Sequence, residues 1–209
     1  MCNLYRMTSP IADVANMAKA MADPGANFAA EVYKGYQGLV VADGVARSMV
    51  WGFPRHQVSK TTGKPLRPSH TNNARDDKLL SFFWKDSFAN RRCLIPVTAW
   101  AEAEGEKGRM TRTWYSLPNV EMFAVAGIWR PTDEWGDAYS MVMVNGCEQM
   151  ADVHDRMPVI LSPDTYRQWT DGSSDYAMAL VRTSDELLHV DRTATLWSKP
   201  KDEFQTSLF

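Results

Sequence analysis

Cysteine occupies the second position of the chain, directly behind Met1. Once Met1 is removed, Cys2 carries its α-amine and its thiol on adjacent carbons. No internal residue can offer this 1,2-aminothiol. Reference pKa values of about 8 for an α-amine and about 8.5 for a thiol leave a usable nucleophilic fraction of each at neutral pH. The pair can act as a nucleophile whose own amine is the base. It can also capture an aldehyde twice, first as an imine and then as a five-membered thiazolidine. A small residue at position 2 means nothing by itself, so the rest of the chain has to supply the context.

Three downstream segments carry groups suited to such chemistry. In Thr71-Asn72-Asn73-Ala74-Arg75-Asp76-Asp77, Asn73 and Arg75 stand two apart. An extended chain points such a pair the same way, toward one anionic ligand. The plainer reading is a polar turn before a helix-like stretch over 76–83. In the run from Arg91 to Glu102, Trp100 and Glu102 share a strand parity. A Glu buried among aromatic and apolar groups has a raised pKa and can deliver a proton near neutrality. With Glu104 and Glu106 close by, a solvated edge is the alternative. In Asp152-Val153-His154-Asp155-Arg156-Met157-Pro158, His154 is flanked by acids just before an apolar run. It is a candidate general acid/base, or else a structural imidazole bonded to backbone. His56, His70 and His189 lack this setting and read as surface or structural.

Charge is distributed unevenly. The 209 residues carry a net charge of −2, so nucleic-acid binding would need a local patch. From Gly44 to Arg75 there is no Asp or Glu, whereas Arg47, Arg55, Lys60, Lys64, Arg67 and Arg75 all fall there. Interleaved with Trp51 and Phe53, this stretch could track phosphates and stack bases, or be a solvated loop. Arg91 and Arg92 add charge nearby.

The elements that must position these groups follow from pattern. Residues 9–22 read as one amphipathic helix, capped by Thr8 or Ser9 with Pro10 in its first turn. Ile11, Val14, Met17, Ala18 and Met21 share one face, and Asp23-Pro24-Gly25 ends it. A hairpin runs over 39–51 and turns at Asp43-Gly44. Further strands are expected over 92–96, 113–117, 122–129 and 139–144. A second helix is expected over 164–170, capped by Ser162 with Pro163 at its first position, and a third over 175–181. Strand–helix alternation is absent, so the expected fold is a single α+β domain over 1–209. Its sheet is mostly antiparallel, closing toward a barrel, with a few flanking helices. Apolar residues make up 44% of the chain, enough for a core of that size. The 3 Cys include no C-x-x-C pair, which speaks against a disulfide framework or a zinc site and suits a reducing cytosol. No signal peptide and no apolar run of about 18 residues is present, so no membrane span is expected.

Taken in order, several motifs resemble one family. They are Met1-Cys2, Trp51-Gly52, Asn73-Ala74-Arg75, Arg92-Cys93-Leu94-Ile95-Pro96 with Glu102, Phe123-Ala124 to Gly127-Ile128-Trp129, and His154-Asp155-Arg156-Met157-Pro158-Val159-Ile160-Leu161. The chain resembles the SRAP (SOS response-associated peptidase) family of abasic-site-processing proteins. The resemblance implies a barrel-like fold and a protein that joins covalently to abasic sites in single-stranded DNA. Attachment would go through a thiazolidine at Cys2 after Met1 leaves. It further implies that Cys2 is the nucleophile, Asn73 holds the adduct, and Glu102 and His154 are the acid/base pair. Arg75 and Arg156 would contact phosphate, with Trp51 and Arg47 also on the DNA side. No metal or other cofactor is expected, and the protein would act as a monomer in the cytoplasm, at the nucleoid during DNA damage. A Cys2-dependent thiol peptidase or autoprotease and a non-covalent single-strand binder are the alternatives. The chain departs from the family pattern at Asn3-Leu4, where relatives carry Gly-Arg, and offers no further Trp after Phe53.

Overall fold

Residues 2–198 are described by the computed structural model. In chain order the strands are β1 (Leu4–Arg6), β2 (Met21–Ala22), β3 (Glu31–Tyr33), β4 (Gln37–Ala42), β5 (Val45–Trp51), β6 (Phe53–Arg55), β7 (Ser69–Thr71) and β8 (Asn73–Arg75). They continue with β9 (Arg92–Val97), β10 (Ala99–Glu104), β11 (Thr111–Ser116), β12 (Phe123–Thr132), β13 (Gly136–Asn145), β14 (Arg156–Pro158), β15 (Ile160–Leu161) and β16 (His189–Leu196). The helices are α1 (Ile11–Ala18), α2 (Lys85–Asn90), α3 (Tyr166–Asp171) and α4 (Ser174–Ala179).

The order β13-β12-β9-β4-β5 is closed by a parallel return of β5 to β13, with Val50 opposite Ala138 and Trp51 opposite Tyr139. These five strands form a barrel, which leaves no edge among them. Every residue of β9 and the run Phe123–Ile128 of β12 are buried. That explains their continuous apolar sequences, since both faces of these strands are covered. The β4–β5 hairpin turns as expected at Asp43-Gly44, whose φ values of 52° and 74° are the left-handed pair that a two-residue hairpin needs.

A second sheet, β16-β11-β10-β1-β3, lies against the barrel. Its contact is aromatic. Trp100 stacks on Tyr115 at 5.5 Å and meets Phe123 edge-on at 6.2 Å. Tyr5 meets Trp51 edge-on at 5.0 Å. The Tyr5 and Tyr139 hydroxyls hydrogen-bond to each other in full burial. Gly38 makes room for that pair, since a Cβ there would run into both hydroxyl oxygens.

Several elements differ from expectation. The helix expected over 9–22 stops at Ala18, because Lys19 turns left-handed and Met21–Ala22 are captured as a strand by β5. Neither Thr8 nor Ser9 caps it; Pro10 occupies the N-cap and gives no side-chain bond. The stretch 76–83 is a single 3₁₀ turn at Asp76–Lys78, with the α-helix following at 85–90. The second helix begins as 3₁₀ at Pro163–Thr165 before α3, and Ser162 stands at its start without a side-chain cap. β16, a largely exposed edge strand, has no apolar alternation and escaped detection.

Arg92 adds no charge to the surface. It is buried and donates to the carbonyls of Phe88 (2.6 Å), Ala89 (2.9 Å), Trp169 and Gly172. Its guanidinium thereby satisfies carbonyls at the C-terminal ends of α2 and α3. Arg91 is paired with Asp86. The acid-free stretch forms a small arm: β6 and β7 pair with each other, and Lys60, Lys64 and Arg67 stand exposed on the loop between them. Among the described residues no helix is long and apolar enough to cross a membrane.

A Gly38→Ala substitution should force the two tyrosine hydroxyls apart. It should cost about 1–3 kcal/mol, as overpacking of a tight core does, measured as a lowered midpoint in urea unfolding with an unchanged slope.

Candidate active site

Cys2 precedes β1, and β1 lies antiparallel to β10 with Leu4 opposite Ala101. This pairing brings the start of the chain beside the strand that carries Glu102. Cys2 is fully buried. Its carbonyl oxygen accepts two hydrogen bonds, from Asn73 Nδ2 at 2.7 Å and from Asn72 Nδ2 at 2.9 Å. The Asn72 amide also donates to Asn3 Oδ1 at 3.2 Å. The Cys2 thiol donates to the Leu4 carbonyl at 3.4 Å.

Two adjacent side chains on one regular strand would face opposite ways. Asn72 and Asn73 converge because the strand is interrupted there: β7 ends at Thr71 and β8 begins at Asn73. β8 is held by β13, with Asn73 opposite Met141. The Asn72 carbonyl accepts from Met141 N at 3.0 Å and from Trp51 Nε1 at 3.1 Å. Asn73 Oδ1 is buried with no hydrogen-bond partner among the described residues. An unsatisfied buried acceptor calls for a donor.

Glu102 is 2% exposed and shares its strand face with Trp100, as its parity predicts. Burial pushes its carboxyl up to about 7, and the Asp155 charge adds to the shift. His154 Nε2 lies 3.8 Å from Glu102 Oε2. The loop before β14 sets this ring: Gly146 N donates to Asp155 O at 2.8 Å and His154 N to Met150 O at 2.9 Å. His154 Nδ1 accepts the Arg156 backbone N–H at 2.9 Å, which puts the neutral ring's proton on Nε2, toward Glu102. Burial lowers the His154 pKa. The Cys2 thiol moves the other way: burial and then the Glu102 charge push it well above its ordinary value.

Cys2, Asn73, Glu102 and His154 thus meet where the barrel adjoins the second sheet. The expected DNA-facing residues are placed differently. Trp51 is fully buried with its indole N–H spent on Asn72, and Phe53 is buried too, so neither presents a face to a base. Arg47 is half-buried, bonded to Asp43 at 3.2 Å, 3.9 Å from Asp137, and laid over Trp129. Arg156 pairs with Asp76 at 3.0 Å, its side chain 16% exposed. Arg75 is exposed and pairs with Asp77 at 3.0 Å. Leu4 belongs to a small satellite core with Ala101 and Trp114. Sequence reasoning passed over Asn72, for which strand parity gave no signal. Met1 lies outside the described residues.

The profile of the SOS response associated peptidase (SRAP) family matches residues 1–196. The abasic site processing protein YoqW of Bacillus subtilis (strain 168) is 28% identical over 130 residues, 57% of each chain. The protein of that name in Bacillus phage SPbeta gives the same figures. The matched segment spans little more than half the length of these curated relatives. A solved structure from Bordetella bronchiseptica superimposes with a TM-score of 0.75 at 20% identity, over 92% of this chain and 99% of that one. One from Bacteroides thetaiotaomicron gives 0.74 at 17%, over 91% of each. At such identities the structures speak for the fold alone.

The folded protein keeps the Glu102 proton up to about pH 7, whereas an exposed Glu loses it near about 4.3. Between those values the unfolded chain binds fewer protons, so stability falls as pH rises. Glu102→Gln should remove that loss. Its thermal-melting advantage should open above about pH 4, grow toward pH 7 and level off beyond, at an order of 3 kcal/mol.

Proposed function

Since the chain belongs to the SRAP family, we propose that it processes abasic sites in single-stranded DNA by covalent capture at Cys2. One observation carries this reading. The carbonyl of the buried Cys2 is gripped by two amides beside a carboxyl that burial holds near pH 7. The names of the curated relatives support the lesion. The exposed Lys60, Lys64 and Arg67 support an anionic partner.

In this reading Glu102, protonated near neutrality, donates to the ring oxygen of the baseless sugar and favours the open aldehyde. The neutral α-amine of Cys2 attacks C1′, and loss of one water leaves a cationic imine. The thiol then gives its proton to the Glu102 carboxylate. Its sulfur adds to C1′, and the C=N electron pair returns to nitrogen. Aldehyde and aminothiol have become a thiazolidine and one water. Ring closure is fast because both nucleophiles ride on one anchored residue. The vacant acceptor of Asn73 suits a hydroxyl or N–H of the adduct. His154, with its proton on Nε2 and 3.8 Å from Glu102 Oε2, faces the carboxylate that exists between these two proton transfers and steadies it.

The electrostatics favour this chemistry over a thiol peptidase. A cysteine peptidase needs a depressed thiol beside a protonated imidazole. Here burial raises the thiol and lowers the histidine.

Protein freed of Met1 should gain the mass of an abasic oligonucleotide less one water, as a heat-stable adduct in intact-mass measurement. Cys2→Ser should lose that adduct while retaining salt-sensitive binding. A Cys2→Ser protein that still forms it would overturn the assignment.

A further inference from the structure

Asn72 holds Cys2 from a side that the four-residue site leaves unassigned. The Cys2 carbonyl has two acceptor positions, and Asn73 and Asn72 fill both. Two bonds to one oxygen hold the peptide plane, and with it the position of Cα and the axis of the Cα–C bond. The bond from Sγ to the Leu4 carbonyl then limits turning about that axis and about Cα–Cβ. Together the three bonds set the direction of the α-amine and the sulfur. Asn72 in turn is braced at two places. Its second amide hydrogen is taken by Asn3 Oδ1 at 3.2 Å. Its backbone carbonyl is held by Trp51 Nε1 and Met141 N. The indole that appeared suited to stacking a base therefore supports the aminothiol from behind.

We propose that Asn72, braced by Asn3, is a positioning residue that holds the Cys2 aminothiol in the geometry for ring closure. The inference rests on the abasic-site reading above. It concerns the second step: imine formation needs only the amine, whereas closure needs amine and sulfur correctly disposed around one carbon. Misplacement by about 1 Å can slow such a step up to about 100-fold.

The test compares wild type, Asn72→Asp, Asn72→Leu and Asn3→Ala, each checked by intact mass for loss of Met1, on an abasic single-stranded oligonucleotide. Borohydride trapping reports imine and heat-stable adduct reports closure. Asn72→Asp keeps the shape and loses the donor at neutral pH. It should close about tenfold more slowly, with more trapped imine. Its rate relative to wild type should recover as the pH falls toward about 5, where a buried carboxyl regains an O–H to donate. Asn72→Leu should be slow with no such recovery. Because Trp51 and Met141 hold the Asn72 backbone rather than its side chain, the strand stays anchored in both variants. Asn3→Ala removes only the brace, serves if the Asn72 variants fail to fold, and should slow closure by a few-fold. Closure within twofold of wild type in the folded variants, or equal slowing in Asp and Leu variants with no pH recovery, overturns the proposal alone. Absence of any adduct with wild type overturns the abasic-site reading and this inference with it.

Discussion

The carbonyl of Cys2 is the atom on which the site depends. A chain terminus has a neighbour on one side only and ordinarily frays. Here β1 is paired between β10 and β3, and Cys2, two residues ahead of it, is tied to the barrel by two amide hydrogen bonds. The ties cross from the second sheet to β8, which hangs on β13 of the barrel. The geometry around Cys2 is therefore inherited from the packing of two sheets, which the Trp51–Tyr5 and Trp100–Phe123 contacts maintain.

Burial also organises the protons. It disfavours every charged form, so it moves acids up and bases down. The Glu102 carboxyl is held near pH 7, the Cys2 thiol stays protonated, and the His154 ring stays neutral. Such a site presents one transferable proton near neutrality. The same burial that makes Glu102 costly to ionise is what makes it a usable acid.

The family motifs divide into residues gathered at Cys2 and residues that hold the scaffold. Glu102, His154 and Asn73 stand around Cys2. Arg92 satisfies helix-end carbonyls, Trp51 holds a backbone carbonyl, and the Arg156 backbone sets the His154 tautomer. A basic or aromatic residue in a motif of a nucleic-acid protein invites a contact role. Burial assigns Trp51 and Arg92 a different one. Within the acid-free stretch the exposed cations are Arg55, Arg75 and Lys60, Lys64 and Arg67 of the loop between β6 and β7.

Much of this was legible in the sequence because it depends on local order. The Asp43-Gly44 hairpin, the apolar runs of β9 and β12 and the shared face of Trp100 and Glu102 all follow from chain periodicity. Cys2 declares its chemistry by position. What local order could not show is where the chain is overruled from a distance. The helix after Pro10 loses its last turn to β5, which captures Met21 and Ala22. The break between β7 and β8 turns two neighbouring amides onto one oxygen, a convergence that a two-residue period denies. Trp51 and Arg92 read as contact residues until their surroundings are known, since exposure belongs to the packed whole. The sequence by itself determined which groups could react. Tertiary structure decided which of them meet, and their protonation, because both depend on how much water the packing of one sheet on another excludes.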